Sequence, residues 1–281
     1  MRNLLLSVFL IAALASAASA ADFDAPQQVA AGQGVTLHPR GGGDLYVFGP
    51  GVAIKRQVEA GKDVQLAPEE LGRAGRYQLV LGDARHTLTV FPGEPAKVSF
   101  LARPSRVPVA KPDVISGVVF VFDSQQNLVL KPAPVKFELA LEGAAGLSRT
   151  LQSKDGVAWI KAASGSREGA AQFVASVNGA SVRRVVQQVA SDPCNIRMKA
   201  QRQGENVLVE TDPIRDCSGN PVPDGTIVTF IQTGGGEGRS TVDARIKHGV
   251  ARATLPAIEG ATLSVASGVV LGNEIRMGAQ R

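Results

Sequence analysis

Three histidines in 281 residues leave little from which to build a metal or catalytic centre. His38, His86 and His248 share no motif and no local spacing, whereas zinc and catalytic sites need clustered His, Asp, Glu or Cys ligands at short intervals. GxSxG, HExxH and a phosphate-cradling glycine loop are also missing. The glycine runs at 41–43 and 234–236 lie in hairpin-like connections, where a flexible turn accounts for them. No enzyme, cofactor or metal site is expected. The formal charge is only +5, and the basic residues are scattered without the Lys/Arg clusters of a nucleic-acid binder, so no nucleic-acid partner is expected. Few windows show an apolar period of 3.6 residues, which argues against long helices.

Only one apolar run is long, and it sits at the start. Arg2 gives a short positive region, LLLSVFLIAALA an apolar one, and ASA ending at Ala20 a small-residue cleavage site. This is the pattern of a secretory signal peptide, and the run is short for a membrane span. Residues 1–20 are therefore expected to be cleaved. No cysteine near the site could accept a lipid, and no later segment is apolar enough to span a bilayer. The mature chain is expected in the periplasm, secreted or at the cell surface.

What fills the rest is β pattern. Gly, Pro, Val and Thr punctuate the chain every ten residues or so, and short alternating runs lie between them, as in sandwiches and barrels. A shift of 93 residues aligns the chain with itself without a gap. Asp123 falls on Asp216, Asn127 on Asn220, Val135 on Val228 and Phe137 on Phe230, and KDGVA at 154–158 falls on KHGVA at 247–251. A fixed period means two copies of one structural unit. In both copies Asp and Asn are suited to close local turns. Pro134 and Pro223 lack a backbone donor and belong at strand entrances or edges.

The stretch DCSGNPVPDGTIVTF, residues 216–230, followed by GVARATL and GATLSV, resembles the bacterial Ig-like repeats of the invasin/intimin family. The likeness is good over 193–281 and weaker over 96–190, where Gln126, Asn127 and Leu128 replace Gly-Asn-Pro. It implies Ig-like sandwiches that serve as rigid spacers and adhesion or interaction modules. No outer-membrane barrel, lipid anchor or sorting tail is expected to accompany them. The expected fold is all-β, with tandem Ig-like β-sandwich domains after a cleaved signal peptide. The expected domains are 21–92, 93–190 and 191–281, the first being a smaller sandwich outside the period. Within it, 67–75 reads as a loop between sheets, and Tyr77 stands where a tyrosine hydroxyl commonly ties a sandwich corner.

Two cysteines, Cys194 and Cys217, occur in the third module. A hairpin turning at QGEN, 203–206, brings them to the same end, and in an oxidising compartment a disulfide is the plain expectation. In the strand around DGVAWIKA, Ala158, Ile160 and Ala162 should face inward and Trp159 outward beside Lys161. An outward Trp next to a Lys could anchor a protein or sugar partner. A place at a module junction, or a register slip of one residue, would bury the ring instead. Arg245, Lys247 and Arg252 are expected on the corresponding face of the third module, where charge usually means only solvation. The leading expectation is an exported, non-enzymatic adhesion, interaction or spacer protein of the cell envelope, with an envelope protein or glycan as partner. The alternative is a periplasmic envelope-assembly or carbohydrate-binding accessory protein, with edge-strand addition as one means of binding.

Overall fold

The computed structural model describes residues 22–142, 145–234 and 238–278; the expected leader, 1–20, lies outside them, as do Gly235 and Gly236 of the second glycine run. Every regular element among the described residues is a strand. None of them forms a helix long and apolar enough to cross a membrane. The described residues up to Glu94, with Asp123–Asn127, form one compact unit; Pro95–Phe122 and the described residues from Leu128 onward form the other. The first unit holds one hydrophobic core and the second holds two, one for each copy of the repeat.

In the first unit a five-stranded sheet runs in the order Gln28–Ala30, Ala84–Phe91, Gly75–Leu81, Gly43–Gly49, Val52–Val58, with a second sheet of Phe23–Asp24, Val35–Pro39 and Val64–Leu66. Period-2 alternation sends Tyr77, Leu79 and Leu81 inward and Arg76 and Gln78 outward. The Tyr77 hydroxyl donates to the Arg73 carbonyl at 2.9 Å, which is the corner its position predicts. Burial pushes its phenol up from the ordinary value. Gly49 leaves the space this ring occupies, because a Cβ there would collide with it. The 67–75 segment is a turn whose Leu71 is fully buried in the core.

The second unit contains two sandwiches. In the first, a five-stranded sheet (Arg106–Pro108, Ala180–Val189, Gly169–Val177, Pro134–Ala140, Leu147–Gln152) lies opposite Val157–Ala162, Ile115–Phe122 and Lys97–Arg103. In the second, Arg239–Arg245, Ile227–Thr233, Thr262–Ser267 and Val270–Arg276 lie opposite Met198–Gln203, Asn206–Thr211 and Arg252–Pro256. Seven main strands per module is the Ig-like count. Two short pieces escape sequence reasoning: Arg106–Pro108, paired parallel with Ala180–Val189, and the Pro193–Cys194/Arg215–Asp216 ladder. Each has two or three residues, too few to show a period.

The repeat is now explained by two turns. In KDGV and KHGV, Asp155 and Gly156 have φ of 50° and 80°, and His248 and Gly249 have 50° and 82°. Positive φ at both central residues is the type I′ hairpin condition, so His248 serves as a turn residue. The second turn does more than close itself. In each copy the Asp Oδ1 accepts from the backbone N–H two residues on (Gln125 and Ser218, 2.9 Å in both) and four residues on (Asn127, 2.8 Å; Asn220, 2.9 Å). Its Oδ2 accepts from the Asn Nδ2 and from a distant backbone N–H, Gly93 for Asp123 at 2.8 Å and Ser191 for Asp216 at 3.0 Å.

The asparagine amides also reach beyond the turn. Asn127 bonds the Gly72 carbonyl and the Ala74 N–H inside the first unit. Asn220 donates to the Ser166 carbonyl at 2.8 Å and accepts from the Glu168 N–H at 3.3 Å. Those residues belong to the preceding Ig-like copy, so Asp216–Asn220 is a joint between the two sandwiches of the second unit. The sequence shows the turn former and hides this reach, which depends on loops more than 50 residues upstream.

Cys194 and Cys217 are disulfide-bonded, with Cα atoms 5.0 Å apart. The hairpin that brings them together turns at Gln203–Asn206, where those two residues pair, and Cys194 lies opposite Arg215. Cys217 follows Asp216 directly, so the bond staples the joint loop to its module's first strand. Replacing both cysteines by alanine is expected to lower stability by about 3 kcal/mol in the chain-entropy account. A urea melt checks it, and an unchanged midpoint would show that the crosslink adds nothing.

Candidate functional site

Strand Ile115–Phe122 reads ISGVVFVF and is apolar at nearly every position, whereas a strand with one wet face should alternate. Ile115, Val119 and Val121 fill the core, and Gly117 makes room there for the Phe100 and Phe173 rings. Val118 and Phe120 therefore face outward. Backbone pairing decides what stands beside them. Val118 lies opposite Leu101 on one side and Trp159 on the other, and Phe120 lies opposite Ser99 and Val157. Ser116 lies opposite Arg103 and Lys161.

The outer face is thus ordered in rows: Leu101–Val118–Trp159 across the middle, Ser99–Phe120–Val157 on one side, and Arg103–Ser116–Lys161 on the other. Trp159 is 64% exposed and Leu101 47%. Ala158, Ile160 and Ala162 are buried, so the expected register holds and the indole faces outward. Lys161 is exposed beside it, as anticipated. Sequence reasoning missed Leu101, Val118, Phe120 and Arg103, because only the cross-strand register brings them to the tryptophan. The unbroken apolar run in Ile115–Phe122 is the signal that would have found two of them.

The second copy of the fold serves as an internal control. Its equivalent face has the row Lys199–Glu210–Arg252. Arg252 grips Glu210 through two contacts, 2.6 and 3.3 Å, and Lys199 pairs with Asp212 at 2.7 Å. These partners push the Arg252 and Lys199 pKa values upward. The next row is Gln201–Leu208–Thr254. An Ig-like sheet of this chain therefore manages with a charged, solvated face, and the sandwich does not require the apolar row around Trp159.

The basic residues expected on one face of the third module are split between its two sheets: Arg252 lies on the face equivalent to that of Trp159, whereas Arg245 ends an edge strand of the opposite sheet, and the two line a cleft of about 710 Å³ with Lys247, His248 and Asp243. Much of its charge is already answered. Besides the Arg252–Glu210 pair, Arg245 donates to the Gly225 carbonyl, Asp243 accepts from the Thr229 hydroxyl, and Asp224 accepts from the His248 and Gly249 N–H groups, which hold its carboxyl below the ordinary value. The cleft reads as a solvated surface. No group of three or more His, Cys, Asp or Glu that could hold a metal occurs among the described residues.

The sequence matches no protein-family model and no curated protein. Solved structures do match. The FdeC adhesin of Escherichia coli superposes with a TM-score of 0.67 over 92% of this chain and 97% of its own, at 16% identity. Invasin, an integrin-binding bacterial protein, superposes with a TM-score of 0.50 over 92% of this chain and 60% of its own, at 12% identity. At such identities the likeness is one of fold. The chain is an all-β protein of tandem Ig-like modules, with the fold seen in bacterial adhesins.

Proposed function

We propose that this chain is an exported, non-enzymatic interaction protein of the cell envelope, whose tandem Ig-like modules hold out a binding face centred on Trp159. One observation carries the reading. The row Leu101–Val118–Trp159 keeps apolar surface in water on a sheet whose copy in the same chain carries ion pairs. Exposed apolar clusters of this kind mark interaction sites, and tryptophan is the residue most enriched among binding hot spots. The adhesin-like fold supports the same reading, because a chain of sandwiches acts as a spacer that carries a surface away from its anchor.

The test compares the full chain with Trp159→Ala in pulldowns from intact envelopes. Removing an interfacial hot spot of this type costs 2 kcal/mol or more, so a specific partner is expected to drop at least about thirtyfold in affinity. A partner retained at equal affinity by the variant would remove the Trp159 face from the function.

A further inference from the structure

We infer that the Trp159 face takes a protein partner whose contact surface has an apolar centre bordered by carboxylates; this rests on the face being the binding surface, and adds the chemistry of what it binds. The charge on the face points that way. Among the outward positions of Lys97–Arg103, Ile115–Phe122 and Val157–Ala162 there is no aspartate or glutamate. Arg103 and Lys161 flank Ser116 as one row, directly beside the apolar row, and neither has an ion pair among the described residues. On the equivalent face of the next module, by contrast, Lys199 and Arg252 both have carboxylate partners. Two unanswered cations beside apolar surface favour an anionic partner, because an unlike charge at the rim speeds docking and a like charge opposes it.

The polar inventory separates a protein from a sugar. A glycan presents hydroxyls that need hydrogen-bond acceptors and amide side chains. Apart from the two cations and Lys97, the polar side chains on this face are those of Ser99 and Ser116. The apolar part is also too large for one sugar ring. It covers two successive rows and all three strands, with Trp159 and Leu101 at opposite edges of the sheet. Side chains projecting from a strand or helix can cover such an area, and carboxylates next to them would meet Arg103 and Lys161 at hydrogen-bonding distance.

The probes are two synthetic peptides with the same alternating leucines and phenylalanines, one interleaved with glutamate and one with lysine, and a sulfated hexasaccharide. Each is titrated into the isotopically labelled full chain while backbone amide shifts are followed. The acidic peptide is expected to move amides within 99–103, 116–120 and 157–161, to bind at least about tenfold more tightly than its lysine analogue, and to weaken with salt. The double variant Arg103→Glu/Lys161→Glu, which changes only exposed side chains, is expected to reverse the preference. Equal binding of both peptides at this face, lost in Trp159→Ala, would overturn the acidic-partner inference and leave the face itself in place. Shifts there from the hexasaccharide and not from the acidic peptide would overturn the protein class. If neither peptide nor the hexasaccharide moves these amides, the partner inference falls. The pulldown with Trp159→Ala then decides separately whether the face is functional.

Discussion

Replacing Phe173 by alanine is expected to lower the stability of the sandwich around it by about 3–5 kcal/mol. Phe100, Phe137 and Phe173 are fully buried and form one cluster. Phe173 meets Phe100 edge-on with ring centroids 5.0 Å apart and planes at 86°, and lies 6.2 Å from Phe137. Such pairs add stability beyond the area they bury. The surroundings offer little to refill the space. Gly117, on the facing strand, already lacks the Cβ that would touch the Phe173 ring, so the alanine variant leaves a cavity lined by rigid sheet. Equilibrium urea unfolding measures the loss, with Phe173→Leu expected to fall between wild type and alanine. A loss below about 1 kcal/mol would mean that the three-ring cluster is not the core of this module.

Asp216→Ala is expected to have the next largest effect, a loss of about 2–4 kcal/mol together with a loosened joint between the two Ig-like modules. The buried carboxylate accepts from the Ser218, Asn220 and Ser191 N–H groups and from the Asn220 amide. Alanine would leave these donors without an acceptor in a buried place, which costs more than the bonds themselves contribute. Burial alone would raise the Asp216 pKa; the hydrogen bonds from Asn220, Ser191 and Ser218 outweigh it, and the carboxyl sits below its ordinary value. A group depressed in the folded state contributes stability that is fully present above its unfolded pKa, about 4, and is lost as pH falls through the lower folded value. Wild type should therefore lose this increment below about pH 4, while Asp216→Asn, which cannot titrate, should lose less over the same window. Equal acid sensitivity of the two proteins would remove Asp216 as the source.

Strand existence was legible because Ig-like strands announce themselves by alternation, and because the 93-residue repeat lets each copy check the other. The outward direction of Trp159 was legible for the same reason: the small or apolar residues Ala158, Ile160 and Ala162 match Ala251, Ala253 and Leu255. The composition of the binding face was not. Leu101 and Trp159 are 58 residues apart and meet only through Val118, and a register is set by the whole sheet. The Asp-x-x-x-Asn turn reads as a local device, and the bonds its carboxylate accepts from the residues two and four positions on and from the Asn amide are local. Its remaining bonds reach residues that no spacing rule connects to it. Asp123–Asn127 belongs to the first compact unit although the chain on either side of it belongs to the second, and no single cut along the sequence separates the two.

The two parallel pairings also bear on how the chain responds to a pull. In the first unit, Gln28–Ala30 runs alongside Ala84–Phe91, and in the first Ig-like copy Arg106–Pro108 runs alongside Ala180–Val189. Each joins the beginning of a module to its last strand. Tension applied through the ends loads these hydrogen bonds together, in shear, so several must break at once and forced unfolding is slow. The last module has no such ladder among its described residues: Val270–Arg276 ladders with Thr262–Ser267, and its tie to the module's beginning runs through Asn273, whose N–H donates to the Ile196 carbonyl and whose amide bonds the Met198 N–H and carbonyl. That tie is centred on one residue, and the Cys194–Cys217 bond limits how far the leading hairpin can be drawn out once it breaks.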